Sequence, residues 1–172
     1  SWTIYAWCLM GNHYHLVLRT YEIDLWRSMA RLQGSIAWNY NRRHHLLGRL
    51  WQSRYRARVI DTEEYFRQVV AYVHLNPVSA GVTHDPAEYI HSGHRELIGA
   101  CEPYIVDRRA TLRSFSNTPG PTPAEDYRDW VRSVAESKWA AQDVFELPWW
   151  VEAASEDEIA DAVQRSIVEV FG

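Results

Sequence analysis

The first twenty residues constrain this chain most. Thr3 to Met10 and His13 to Arg19 read as two alternating runs, with Gly11-Asn12 between them. Alternation at period two argues for strands, and a Gly-Asn pair between two such runs argues for a turn, so residues 3–19 read as an antiparallel hairpin. The alternation also sorts the side chains. His13, His15 and Val17 fall on one face of the second strand, and Tyr14, Leu16 and Leu18 on the other.

The elements that would cover this hairpin follow. Leu25, Met29, Leu32, Ile36 and Tyr40 recur at spacings of 4, 3, 4 and 4, a helical stripe within residues 22–43. Arg27, Arg31, Arg42 and Arg43 are available for the outer side of that helix. Residues 50–61 alternate arginine with larger or apolar groups, which suits a strand with one basic face. Asp61, with Glu64 in capping-box register, opens a second helix through Tyr65, Phe66, Val69, Val70 and Val73 that Pro77 and Gly81 should end. Beyond residue 98 the pattern predicts a short helix over 105–114, a Pro-rich linker over 116–123 and a helix over 124–140. Ser155 with Glu158 then caps a last amphipathic helix through Ile159, Val163, Ile167 and Val170. Phe145–Trp150 reads as packing onto the main unit. The expected class is α+β, with residues 1–98 as the main domain, 99–123 as an extension and linker, and 124–172 as a C-terminal helical region.

Composition narrows the function. A chain of 172 residues with 47% apolar and 23% charged residues has enough for a folded core, which excludes a disordered tail or a disulfide scaffold. No apolar run approaches the roughly 20 residues of a membrane helix. Cys8 and Cys101 form no metal pair by spacing and favour a reducing, cytoplasmic setting. The chain opens on Ser1 without a basic-then-apolar leader and is expected to be a piece of a longer protein. The formal charge of −4 conceals a polarity: residues 1–60 hold nine arginines against Glu22 and Asp24, a surplus of +7, and the remainder carries −11. Arginine forks suit phosphates and stack on bases, although arginine enrichment can equally reflect base composition of the gene.

Three features could carry chemistry. His13 and His15 share a strand face near a turn, and neutral imidazoles two apart can converge on one divalent ion. Alone, such a pair more often faces solvent or packs. Tyr72 and Asn76 stand four apart on the second helix and share a face, offering a phenol nucleophile beside an amide oxygen; packing and helix termination explain them as well. Arg54, Arg56 and Arg58, with Arg42 and Arg43, could track a phosphate backbone, with Trp and Tyr nearby as stacking surfaces. The alternative is a solvated charged face. No Gly-x-x-x-x-Gly-Lys loop and no Gly-x-Ser-x-Gly turn occurs. His44 and His45 read as surface residues, His74 as structural, and His84, His91 and His94 show no ligand spacing.

The segments Trp7-Cys-Leu-Met-Gly-Asn-His-Tyr-His-Leu-Val-Leu18, Asn41-Arg-Arg-His44, Trp51-Gln-Ser-Arg-Tyr55 and Tyr72-Val-His-Leu-Asn-Pro-Val-Ser-Ala-Gly81 occur in that order. Together they resemble the single-tyrosine HUH transposases, the IS200-like family, and most of all the REP-associated tyrosine transposases. The resemblance covers roughly residues 3–115. It implies a ferredoxin-like antiparallel sheet with helices on one face and the histidine pair on a central strand. It further implies His13, His15 and Asn76 as ligands of Mg²⁺ or Mn²⁺, and Tyr72 as the nucleophile that forms a 5′-phosphotyrosine. The implied partner is single-stranded or hairpin DNA, in a bacterial cytoplasm, handled by a monomer or homodimer. Two departures stand out. Gly11 replaces the family's usual proline, and the family's first strand and helix are missing, which should expose an edge of the histidine strand. The competing expectation is a domesticated relative that binds hairpin DNA or RNA without cutting it, and a third is a nuclease that uses water.

Overall fold

The computed structural model describes residues 1–21, 24–116 and 122–137, and the backbone of 167–171. The hairpin forms as its alternation demands: β1 (Trp2–Leu9) pairs antiparallel with β2 (Tyr14–Thr20), from Trp2↔Thr20 to Leu9↔Tyr14. The Met10 N–H donates to the His13 carbonyl at 2.8 Å and closes the connection. A bulge between Ile4 and Ala6 inserts Tyr5, so Tyr5 and Ala6 both enter the same hydrophobic cluster while Ile4 serves the opposite face.

The two faces of β2 are covered by different helices. On one, Tyr14, Leu16 and Leu18 pack with Leu25 and Met29 of α1 (Leu25–His44). Gln33 donates from Nε2 to the Tyr14 hydroxyl at 2.9 Å, and its carbonyl accepts from Trp51 Nε1. Leu25, Met29 and Gln33 are the buried residues of α1, all in its first half. A twenty-residue helix is about 30 Å long, whereas the apolar patch from Tyr14 to Leu18 extends only about 14 Å along its strand. The second half of α1 therefore runs past the sheet, and Ile36 and Tyr40, expected to face inward, are exposed.

The other face carries Val17 with Tyr5, Ala6 and Cys8, packed against Phe66, Val69, Val70 and Val73 of α2 (Glu63–Ser79). The start of α2 differs from expectation: Thr62, not Asp61, is the N-cap, and its hydroxyl accepts from the Tyr65 N–H at 3.2 Å. Its end differs too. Pro77 lies inside the last turn rather than stopping the helix, which continues to Ser79. Gly81, at φ +68°, then supplies the left-handed residue of a Schellman closure, with Gly81 N–H on the Val78 carbonyl and Val82 N–H on that of Pro77. The short helices α3 (His94–Leu97) and α4 (Arg108–Arg113) lie on this side with α5 (Pro123–Glu136), whose Tyr127 and Val131 join the same core. Asp107 caps α4, and Thr122 with Glu125 forms a reciprocal capping box on α5.

Two corrections concern the sheet. Residues 167–171, expected to be helical, form β4 (Ile167–Phe171), and the strand order is β1-β2-β4-β3, with β3 spanning Arg56–Ile60. β4 runs antiparallel to both neighbours, so β2 is hydrogen-bonded on both sides and does not expose the expected edge. The reason is local as well as tertiary: Ile-Val-Glu-Val-Phe is rich in β-branched and aromatic residues, and two strand edges outbid one helical spacing. The α+β class and the antiparallel sheet stand as expected, but helices cover both faces of β2 rather than one, because Tyr14, Leu16 and Leu18 need cover as much as Val17 does. The readings over 117–121, 138–166 and residue 172, including Phe145–Trp150 and the Ser155 capping box, fall outside the described residues.

Candidate catalytic site and arginine surface

Val17 faces α2, so His15, two residues earlier on the same strand, faces α2 as well. Three aromatic rings meet there. His13 and His15 stand with centroids 5.2 Å apart at 85°, and His15 and Tyr72 with centroids 5.6 Å apart at 86°. His15 is buried, and His13 and Tyr72 are half-buried at the mouth of the arrangement.

Local bonding fixes His13. Its Nδ1 lies 2.7 Å from Asn12 Oδ1, an oxygen that only accepts, so Nδ1 carries the proton and Nε2 keeps the lone pair. Partial burial and the neighbouring His15 hold the His13 pKa below its ordinary value, so the ring is neutral at pH 7. Asn76 sits one turn beyond Tyr72, and its Nδ2 donates to the Tyr72 carbonyl at 3.1 Å. That bond spends the amide nitrogen and leaves Oδ1 as the atom available to a cation. Cys8, paired with His15 across the hairpin, is buried, and burial pushes its thiol up to about 12. It is a core residue.

The sequence-chosen arginines divide into two groups. Arg56 and Arg58 alternate with Ala57 and Val59 on β3, and Ile60, of the same parity, packs into the α2-side core. They therefore project from the sheet face that carries His15 and Tyr72. Arg56 and His15 are both level with Phe171, two strand spacings apart, about 10 Å. Arg58 lies over the Tyr65 ring of α2 at 5.0 Å. Arg42 and Arg43 instead belong to the projecting end of α1, and Arg54 precedes β3; all three are exposed.

Among the described residues, no group of three or more His, Cys, Asp or Glu side chains could hold a metal ion. The donor types present suit a divalent cation: a neutral imidazole protonated on Nδ1, a second imidazole against it, and, one helical turn from Tyr72, an amide oxygen. His44, tilted against the Tyr40 ring with centroids 4.3 Å apart, and His45 are exposed and stand outside this set, as expected of surface residues. His94 shows no ligand spacing in the sequence. It is buried, and with His74 it holds the Tyr127 hydroxyl, each through Nδ1 at 2.7 Å. No spacing could have revealed that link, because its partners lie 53 and 33 residues apart.

Residues 1–76 match the family model Transposase IS200 like. The match takes in His13, His15 and Tyr72 and ends at Asn76. This part of the chain is thus similar to the IS200-like transposases, and DNA transposition is the role that the likeness supports. Comparison with curated proteins and with solved structures found no match. Among the described residues, no helix is long and apolar enough to cross a membrane.

Proposed function

We propose that this protein cleaves and rejoins single-stranded DNA, with Tyr72 as the nucleophile, at hairpin-bordered sites of the REP-associated kind. The observation that carries the reading is the contact of the Tyr72 ring with His15, itself against His13. In the proposed step the Tyr72 oxygen bonds to the scissile phosphorus and the P–O3′ bond breaks. The phenolic proton leaves to solvent or a base, and the departing 3′ oxygen takes up a proton to become a hydroxyl. The DNA 5′ end remains on the tyrosine as a phosphodiester. Reversal by a different 3′-hydroxyl rejoins the strands, and no nucleotide cofactor is needed because the bond energy is kept in the phosphotyrosine.

His13, His15 and Asn76 would hold a divalent cation, Mn²⁺ or Mg²⁺, which when bound supplies positive charge to the phosphate oxygens. The chain's own residues do the rest. The packing of α2 against β2 orients Tyr72, Asn12 keeps His13 in the Nε2-ligating tautomer, and Arg56 and Arg58 supply cations on the same sheet face. A phenol ordinarily ionises near pH 10, so the proposed step needs nearby positive charge or a base to take the proton.

The test is a single-stranded substrate labelled at its 3′ end, incubated with protein and Mn²⁺ and resolved on a denaturing gel. A labelled band at the mass of protein plus the downstream fragment is expected, and phosphotyrosine should be recovered from it. Cleavage without that band would favour a water-using nuclease, and tight binding without any cleavage a binding module.

A further inference from the structure

We infer that the outward face of α1 is a second nucleic-acid contact, a stacking track for single-stranded DNA on the side of the sheet opposite Tyr72. The inference rests on the reading that this chain takes single-stranded DNA, and it adds a surface that the cleavage chemistry does not need. Arg27, Arg31, Trp38 and Arg42 recur at spacings of 4, 7 and 4 and so share one helical face. That face lies away from the stripe Leu25, Met29 and Gln33 that α1 buries. All four residues are exposed, Trp38 to 60%. The Arg42 guanidinium lies 5.1 Å from the centre of the Trp38 ring, and that of Arg27 lies 5.2 Å from that of Trp26.

The charge identifies the occupant. From Leu25 to Ile60 the chain holds eight arginines and not one carboxylate. Among the described residues, Arg27 pairs with Asp24 at 3.5 Å, and both partners are substantially exposed. A second copy of the chain docked face to face would set like charges against each other. An anionic ligand with flat apolar faces meets both demands: phosphates pair with the arginines, and an unpaired base stacks on the Trp38 indole. The segment after α1 is held in place rather than loose, since Asn41 Nδ2 donates to the Gly48 carbonyl and Leu46 N–H to that of Asn41. The track therefore begins on a rigid element. Because α1 covers the face away from α2, it grips DNA beyond the phosphate that Tyr72 attacks.

The test uses the full chain and a fluorescent single-stranded oligonucleotide long enough to reach both faces, with affinity read by anisotropy over a range of salt. Trp38→Ala should weaken binding about tenfold without changing the salt slope, and Trp38→Phe should restore most of the loss. Arg42→Gln should weaken binding and lower the slope by about one. Adduct formation at saturating DNA should be unchanged in both Trp38 variants. Unaltered affinity of Trp38→Ala overturns the inference, and so does a change in sedimentation without a change in affinity, which would make this face a contact between copies. If wild-type protein binds the strand but forms no adduct, the catalytic reading fails while the track stands. If it binds no single strand, both fall.

Discussion

The rings of His15 and Tyr72 meet edge to face, 5.6 Å between centroids and 86° between planes, and this contact joins β2 to α2. Tyr72→Phe preserves the ring and removes the oxygen. Its stability should fall by no more than about 1 kcal/mol, the worth of one hydrogen bond, while the covalent adduct with DNA disappears and DNA affinity is kept. Tyr72→Ala removes the ring as well and should be the less stable of the two. Urea unfolding beside the adduct gel separates these outcomes, and an adduct formed by Tyr72→Phe would dismiss Tyr72 as nucleophile.

The proposed ligand set of His13, His15 and Asn76 makes metal dependence a prediction. Chelation should abolish adduct formation, and Mn²⁺ should restore it at lower concentration than Mg²⁺, because imidazole suits manganese better. Asn76→Ala should raise the Mn²⁺ needed for half-maximal adduct by roughly tenfold or more. An unchanged requirement would remove Asn76 from the ligand set.

The local elements of this fold were legible in the sequence wherever one periodicity dominated. Alternation over residues 3–19 places His15 and Val17 on the face opposite Tyr14, Leu16 and Leu18, and the structure has them so. What failed was long-range. The stripe Leu25 to Tyr40 is perfect in spacing, yet Ile36 and Tyr40 are exposed, because spacing cannot tell where the sheet beneath a helix ends. Val168 and Val170 fit a helix and a strand equally, and only the free edges of β2 and β3 decide between them. In the candidate site, the nearness of His13, His15 and Tyr72 was inferred from a family pattern, since no local rule links residue 15 to residue 72.

The His74–Tyr127–His94 group gives stability a particular pH dependence. Burial is the main cause holding the His94 pKa down to about 4, with Arg128 adding to it and Asp85 opposing; burial and then His94 hold His74 well below its usual value. Both rings stay neutral in the folded protein at pH values where the unfolded chain, with ordinary histidine values near 6.5, binds protons. Stability is therefore full above about pH 6.5 and falls as the pH drops towards 4, by up to about 1.4 kcal/mol per unit for each histidine. Glu96 does not mask this. Burial would raise its pKa, but hydrogen bonds from Val106, Ile105, Trp7 and Tyr104 hold it below 4.5, so its contribution is lost only at still lower pH. Urea titrations at pH 7 and pH 5 should show the drop; a flat profile would mean that the rings are not buried as neutral groups.

Gly93 marks a place where no methyl group fits. A Cβ there would lie 2.7 Å from Val106 Cγ2 and 2.9 Å from Trp7 Cδ1 and Nε1. Neither neighbour is free to yield: Trp7 Nε1 donates to Glu96 Oε1, and the Val106 N–H to Glu96 Oε2, each at 2.9 Å. Gly93→Ala should cost about 1–3 kcal/mol in chemical denaturation, as overpacking does, and a neutral result would show that the segment shifts without strain.

The position of β4 makes the sharpest demand on the sheet. Glu169 is paired with Val17 on one side and Arg58 on the other, so its backbone lies between two strands. Glu169→Pro would remove one N–H and force its ring into a doubly flanked strand, where proline is not accommodated. The expected cost is roughly 3 kcal/mol or more, with Leu47→Pro, in a fully exposed segment, as the mild control. Because β4 is the strand that bridges β2 to β3, the same substitution should also weaken DNA binding by releasing Arg56 and Arg58 from the level of His15. Equal stability of Glu169→Pro and wild type would mean that β2 and β3 hold their places without this strand, and the shared face of His15, Arg56 and Tyr72 would need another explanation.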